Sequence, residues 1–317
     1  MLRTALTDRL TLTAPVVGAP MAGVAGGKLA AAVSAGGGLG MIGVGPSGRE
    51  QSILREAEIA RDAGQRFGIG LMAWVLDTRP EQFDATVSAR PDLVSVSFGD
   101  YGPWIGRLRQ AGIATATQIF DVESARAAAD QGVDLIVARG AEAGGHGRDA
   151  VATLPLLQAV LDAVDVPVLA AGGIGTARGL AAVLAAGAAG AWIGTALLAC
   201  PEAMNSQGAR DRIRAAAETG TVYTRVFDIV QQIPWPPEFG GRALANAFSG
   251  TWAGREAELG TDQPAQAQFA ADRERKDYDQ MVLYAGQGVG LVTEERPATA
   301  VVAEISAGAE KLLHRWQ

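Results

Sequence analysis

A chain of 317 residues contains two histidines, and one of them, His146, follows a glycine pair in ARGAEAGGHGRD (138–149). Imidazole exchanges protons near neutral pH, and glycines before it let the main chain run close to a ligand. Two further glycine clusters offer a second chemistry. AAGGIGTARGL (170–180) and IGTALL (193–198) each lead from apolar β-forming residues toward a helix start. Main-chain N–H groups left open at such junctions hold phosphate. A Schiff-base enzyme would place a lysine at a strand end; Lys28, Lys276 and Lys311 are the lysines of this chain, and none stands there. Asp100, Asp121 and Glu142 are the carboxylates a metal site could draw on. Asp121, however, opens DVESARAAA and reads more simply as a helix cap, so no metal is expected.

These residues must be positioned by a repeating scaffold. Apolar runs recur at PVVGAP (15–20), LGMIGV (39–44), FGIGLMAW (67–74), LVSVSF (93–98), IATATQIF (113–120), VDLIVA (133–138), VPVLAAGG (166–173) and AGAWIG (189–194). Between them, helix-like stretches stop at glycine in SAGG (34–37), DAG (62–64), QAG (110–112), DQG (130–132) and AAG (185–187). Eight buried strands alternating with helices predict an α/β fold, the (β/α)8 TIM barrel. The barrel is expected over 1–208 and 291–317, with an inserted, mostly helical smaller lobe at 209–290, near the C-terminus. In that lobe ARDRIRAAAETG (209–220) and ADRERKDYDQMV (271–282) read as helical, and IPWPPEFGGRALANAF (233–248) as a loop that lids the barrel mouth. Trp235, Phe239 and Trp252 are candidates to shape a substrate pocket, and 297–315 reads as the closing helix.

Composition narrows the partners. Hydrophobic residues make up 48% of the chain, enough for a large core, and the formal net charge is −7. Nucleic acid and anionic membrane surfaces both call for clustered positive charge, so neither is expected. Cys200 is the single cysteine and suits a reducing compartment. With no leader-like segment at the start, a cytoplasmic location is expected. Residues 179–200 are uncharged and long enough to span a bilayer, but Gly187, Gly190 and Gly194 favour helix, turn and strand.

A phosphate-bearing cofactor with its own reactivity, such as flavin mononucleotide (FMN), fits these junctions, its ring lying across the mouth beside GAPMAGVAGG (18–27). A flavin-free barrel acting on a phosphorylated metabolite and a non-catalytic flavin carrier are alternatives. The chain resembles the nitronate monooxygenase family, once grouped as 2-nitropropane dioxygenases. The resemblance rests on APMAG (19–23), SAGGGLGMIG (34–43), GAEAGGHGR (140–148), PVLAAGGIGTARGLAAVLAAGAAGAWIGT (167–195) and, more loosely, YAGQGVGLV (284–292).

The resemblance implies FMN contacts at Ala19, Pro20, Met21, Gly144, Gly145, Gly172, Gly173, Gly194 and Thr195, with GQGVG (286–290), and in it Gln287, returning against the cofactor. Three positions depart from the family pattern. Gly70 stands where many members have asparagine, and Arg139 and Trp192 stand where many have glutamine. Gly70 offers only backbone atoms to a flavin; Gln118 could supply a lost hydrogen bond, and Arg139 a positive charge near a reduced, anionic ring. His146 would reach over the ring, either taking a proton from carbon beside a nitro group or hydrogen-bonding an anionic substrate. The implied activity is FMN-dependent oxidation of alkyl nitronates or nitroalkanes by dioxygen to a carbonyl compound and nitrite. The alternative is a flavin-dependent NAD(P)H:quinone or enoyl reductase on the same scaffold. A small molecule and dioxygen are then the expected partners, and a homodimer is compatible with this reading.

Overall fold

A computed structural model describes residues 2–315. Its strands are β1 (Val16–Gly18), β2 (Gly40–Gly43), β3 (Phe67–Met72), β4 (Leu93–Ser97), β5 (Ala114–Ile119), β6 (Leu135–Arg139), β7 (Gly145–Gly147), β8 (Val168–Ala171), β9 (Gly190–Ile193), β10 (Thr221–Thr224) and β11 (Gly240–Leu244). Eight of them form one parallel sheet in the order β1-β9-β8-β6-β5-β4-β3-β2. A parallel bridge between Val17 and Leu39 joins its two ends and closes the barrel. Each of the eight apolar runs of the sequence contributes one barrel strand.

Strand alternation sorts these residues between two layers. Val17, Met41, Leu93, Leu135, Val137, Leu169 and Trp192 point inward and fill the barrel. Val16, Ile136, Ala138, Val168, Ala170 and Ile193 point outward beneath the helices. Each fully buried aliphatic side chain contributes about 2 kcal/mol, and both faces must be apolar because helices cover the outer one. The short helix Ala5–Leu10 plugs the end where the strands begin, with Leu6 lying against Gly190 at the start of β9. At the helix ends Gly37, Gly64, Gly112, Gly132 and Gly187 all take positive φ, from +70° to +105°, the left-handed stop that glycine adopts without strain. The helix Ala298–His314 closes the ring, with Gly308 packed on Ala177 of the helix Ala177–Ala185.

The smaller lobe holds the helices Gln207–Arg214, Val226–Val230, Ala247–Trp252, Glu256–Leu259 and Gln263–Glu274. Phe227, Val230, Phe248, Leu259 and Phe269 form the common core of the last four, while Ile213 of the first packs with Leu198 and Val289. Its centre is a three-stranded antiparallel sheet, β10-β11-β7. The stretch 233–248 is therefore not all loop, as its prolines and glycines suggest. Gly240–Leu244 becomes β11 because it pairs on both edges, and Asn246 then caps the next helix by accepting from Ser249 N at 2.9 Å. The two charged stretches are helical only in their first parts: the helices begin earlier, at Gln207 and Gln263, and end at Arg214 and Glu274. Among the described residues no helix is long and apolar enough to cross a membrane; residues 179–200 run from helix through turn into β9.

Close approach of β2 to the helix Gly27–Ala35 depends on Gly40, where a Cβ would lie 2.0 Å from the carbonyl oxygen of Ala30. Gly40→Ala is expected to destabilise by ~2 kcal/mol or more through overpacking. Gly64→Ala, where only the left-handed backbone opposes the methyl, is expected to cost about 1 kcal/mol. Urea unfolding midpoints of the two variants check that order.

Candidate active site

The carboxyl ends of the barrel strands surround a cavity of 550 Å³. Gly70, Ser95, Gln118, Arg139, Ala171 and Trp192 line it from the barrel, while His146, Asp228, Trp235 and Tyr284 line it from the lobe side. Ala19, Pro20, Met21, Gly144, Gly145, Gly172, Gly173, Gly194 and Thr195 also border it. Gln287 does not: its side chain is exposed, and its amide donates to Glu142 O at 2.9 Å, although its neighbour Gly288 lines the cavity. Of the three aromatic candidates only Trp235 lines the cavity. Phe239 stands behind it against Phe98 and Phe120, and Trp252 packs on Phe248 in the lobe core. At Gly70 a Cβ would fall 2.3 Å from Cγ of Pro20, so the proline ring occupies the space a side chain would need.

One corner of the cavity is made of unmatched main chain. The amides of Gly173, Ile174 and Gly175 after β8, and of Gly194, Thr195 and Ala196 after β9, donate to no acceptor among the described residues. All six residues line the cavity. Gly173 has φ +70°, and a Cβ built there would meet nothing nearer than Cβ of Glu142 at 3.8 Å. Beyond it Thr176 caps the helix Ala177–Ala185, whose N-terminal dipole favours negative charge at that corner. The turn is braced from behind by Thr153, whose hydroxyl donates to Gly172 O at 3.1 Å and whose amide donates to Glu142 at 2.7 Å.

The three carboxylates considered for a metal have structural partners instead. Glu142 holds Thr153, and Asp100 accepts from Gly102 N at 3.2 Å. Asp121 accepts from Ser124 N at 2.7 Å and from Arg148 at 2.9 Å. Partial burial pushes its pKa up, but the Ser124 hydrogen bonds and the Arg148 cation outweigh this and hold it below the ordinary value. No cluster of potential metal ligands occurs among the described residues.

The histidine is placed by a loop that leaves the barrel. Arg139, the last residue of β6, is buried and donates to the carbonyl oxygens of Ala143, Gly144 and Gly145 at 3.2, 3.0 and 2.8 Å. Burial lowers its pKa to about 10, so it remains a cation at neutral pH. Gly144 allows the loop to press on the returning segment: a Cβ there would lie 2.4 Å from Gly286 N. That same amide donates to Thr195 Oγ1 at 2.9 Å, tying loop, strand end and returning segment together.

The loop then becomes β7, whose His146 pairs with Gly241 of β11. His146 Nε2 lies 2.8 Å from Asp228 Oδ1, and the ring stacks on Trp235 at 3.7 Å with an interplanar angle of 8°. Tyr284 donates to the same carboxylate oxygen at 3.3 Å. Burial, with Asp228 beside it, raises the tyrosine pKa well above its usual value, so the hydroxyl stays protonated. Asp228 itself is 2% exposed, and its Oδ2 has no hydrogen-bond partner among the described residues. Neither Asp228 nor Tyr284 emerges from sequence reasoning. The available signal was an aspartate embedded in the apolar run VFDIV (226–230).

The fold agrees with what the chain is similar to. The family model for nitronate monooxygenase matches residues 57–308. The chain belongs to the nitronate monooxygenase family. It is on that ground a flavin-dependent oxidoreductase. The nitronate monooxygenase npaC of Metarhizium robertsii is 31% identical, the match covering 94% of this chain and 91% of that protein. A (3aS,4S,5R,7aS)-5-hydroxy-7a-methyl-1-oxo-octahydro-1H-indene-4-carboxyl-CoA dehydrogenase of Rhodococcus jostii is 34% identical over 72% of this chain, a match spanning 64% of that protein's length. Among solved structures, the nitroalkane oxidase of Streptomyces ansochromogenes superposes with a TM-score of 0.82 at 30% identity, covering 99% of this chain and 100% of that one.

Arg139→Met keeps the bulk but removes three charge-assisted hydrogen bonds. It is expected to destabilise by ~2 kcal/mol or more and to speed amide exchange at Gly145 and Gly147 relative to the barrel strands. Hydrogen exchange read by mass spectrometry checks both effects.

Proposed function

We propose that the chain binds FMN across the barrel mouth and oxidises alkyl nitronates, and the neutral nitroalkanes that give rise to them, to a carbonyl compound and nitrite with dioxygen. The observation that carries this reading is the set of open amides after β8 and β9, in the same cavity that His146 borders. The residues present fit the cofactor. Unmatched N–H groups beside a helix N-terminus suit a phosphate, and a Cβ at Gly173 or Gly145 would project into space where a ligand would lie. The cavity volume of 550 Å³ falls within the usual range for cofactor sites. Ala19, Pro20, Met21, Gly144, Gly145, Gly172, Gly173, Gly194 and Thr195 would hold the group, with Gln118 offering a side-chain hydrogen bond and Arg139 a buried positive charge near its ring. When bound, the flavin supplies the acceptor for the substrate's electrons and their route to dioxygen.

The protein's own residues divide the remaining work. Met72, Phe98 and Trp235 offer an apolar wall for an alkyl chain. His146 accepts the proton from the carbon beside the nitro group of a neutral substrate. A nitronate arrives already deprotonated and needs no base. Segment 209–290 serves as the lid that keeps the site apart from bulk water. The names of the fungal monooxygenase and the Streptomyces oxidase support this substrate class. Likeness to the Rhodococcus dehydrogenase favours a second reading, hydride exchange between a flavin and NAD(P)H, quinone or an unsaturated thioester.

The purified protein is expected to be yellow, and anaerobic addition of a small nitronate to bleach it faster than NADH does. A colourless protein, or rapid bleaching by NADH alone, contradicts the proposal. His146→Ala is expected to keep the colour while turnover of neutral nitroalkane falls by roughly 10²-fold or more. Unchanged nitroalkane turnover would remove the assigned role.

A further inference from the structure

We propose that Asp228 is the positioning residue that makes Nδ1 of His146 the proton acceptor and offsets the charge the ring gains. The inference rests on the function proposed above, in which His146 takes the proton of a neutral nitroalkane.

An ionised carboxylate can only accept hydrogen bonds, so the 2.8 Å contact requires the hydrogen on Nε2. Nδ1 is left with its lone pair, and no hydrogen bond engages it among the described residues. The ring cannot readily turn over to exchange its nitrogens. Its backbone is paired to Gly241, and Trp235 covers one face at 3.7 Å. Trp235 is itself held by Trp74 and Phe98, each 5.2 Å away between ring centres.

Charge makes the same assignment. Asp228 is buried, and among the described residues it forms no ion pair with an arginine or lysine and leaves Oδ2 unmatched. Besides the His146 contact, its carboxylate accepts a hydrogen bond from Tyr284. An imidazolium at His146 is thus the counter-ion this carboxylate lacks. The remaining charged and titratable groups near the ring favour the neutral form or are already engaged. Arg139 lies behind β7, Arg242 on β11 pairs with Asp149, Tyr223 on β10 donates to Gly147 O, and Arg273 borders the cavity. Without the Asp228 charge, an imidazolium at His146 would have no anionic hydrogen-bond partner among the described residues.

The step balances within substrate and protein. The C–H bond beside the nitro group breaks, its electron pair stays with the substrate as nitronate, and the proton forms a bond to Nδ1. Nε2–H remains on Asp228 throughout, and the proton on Nδ1 is later lost to water. No oxidant takes part in this step.

The test is steady-state kinetics on the flavin-loaded enzyme with two substrates, a neutral nitroalkane and its preformed nitronate. Asp228→Asn should lower kcat/KM for the nitroalkane by roughly 10²- to 10⁴-fold, leave the nitronate little changed, and move the acidic limb of the nitroalkane pH profile to lower pH. Asp228→Glu should restore part of the activity and return the limb upward. Tyr284→Phe, which frees the carboxylate from a competing donor, should move the limb to higher pH. An equal loss with both substrates, or a limb that stays in place in Asp228→Asn and Tyr284→Phe alike, would make the role structural and overturn the proposal. If Asp228→Asn fails to fold, the Tyr284→Phe profile decides by the same criterion. Failure of the underlying reading is separate: His146→Ala would then leave nitroalkane turnover intact.

Discussion

Main-chain N–H groups need acceptors, and at the ends of β8 and β9 six of them, on residues that line the cavity, find none among the described residues. Much of the surrounding construction holds those six in place. Gly172 and Gly173 take the left-handed backbone that turns the chain after β8. Thr153 and Glu142 brace that turn from outside the barrel. Thr195 uses its hydroxyl to hold Gly286 and leaves its own amide open. Two strand ends that packing could have satisfied are left with open amides instead.

The second dependency is the path of the chain after β6. Barrel and lobe share one segment, because the loop that leaves Arg139 returns as a strand of the lobe sheet. The histidine consequently has its origin fixed by the barrel and its register fixed by β11. A lobe that shifted relative to the barrel would carry Asp228 and Tyr284 with it, and His146 would follow through the same sheet. Site geometry thus depends on a short antiparallel pairing as much as on the parallel barrel, which accounts for a buried arginine bound only by carbonyl oxygens at its base.

Legibility in the sequence followed the range of the forces involved. The eight barrel strands, the glycine helix stops and the Asp121 cap depend on residues a few positions apart, and each could be read locally. The cavity residues from Ala19 to Thr195 could be placed because a parallel barrel puts every strand end at the same mouth. The lobe sheet could not, since β7 and β11 are joined by pairing between distant segments and β11 carries two glycines and an arginine. Asp228 stands 82 residues from the histidine it contacts, and its burial is decided by that contact rather than by its neighbours. Gln287 and Trp252 sit in stretches of suggestive composition, yet the fold turns the first outward and the second into the lobe core.

Glycine-selective ¹⁵N labelling offers the most direct view of the open amides, read by NMR as FMN is added to cofactor-depleted protein. The account predicts that the Gly173, Gly175 and Gly194 resonances move together as the flavin binds, and that inorganic phosphate alone moves the same three. If the protein takes up flavin while those resonances stay where they were, the anion is held elsewhere and the account is contradicted.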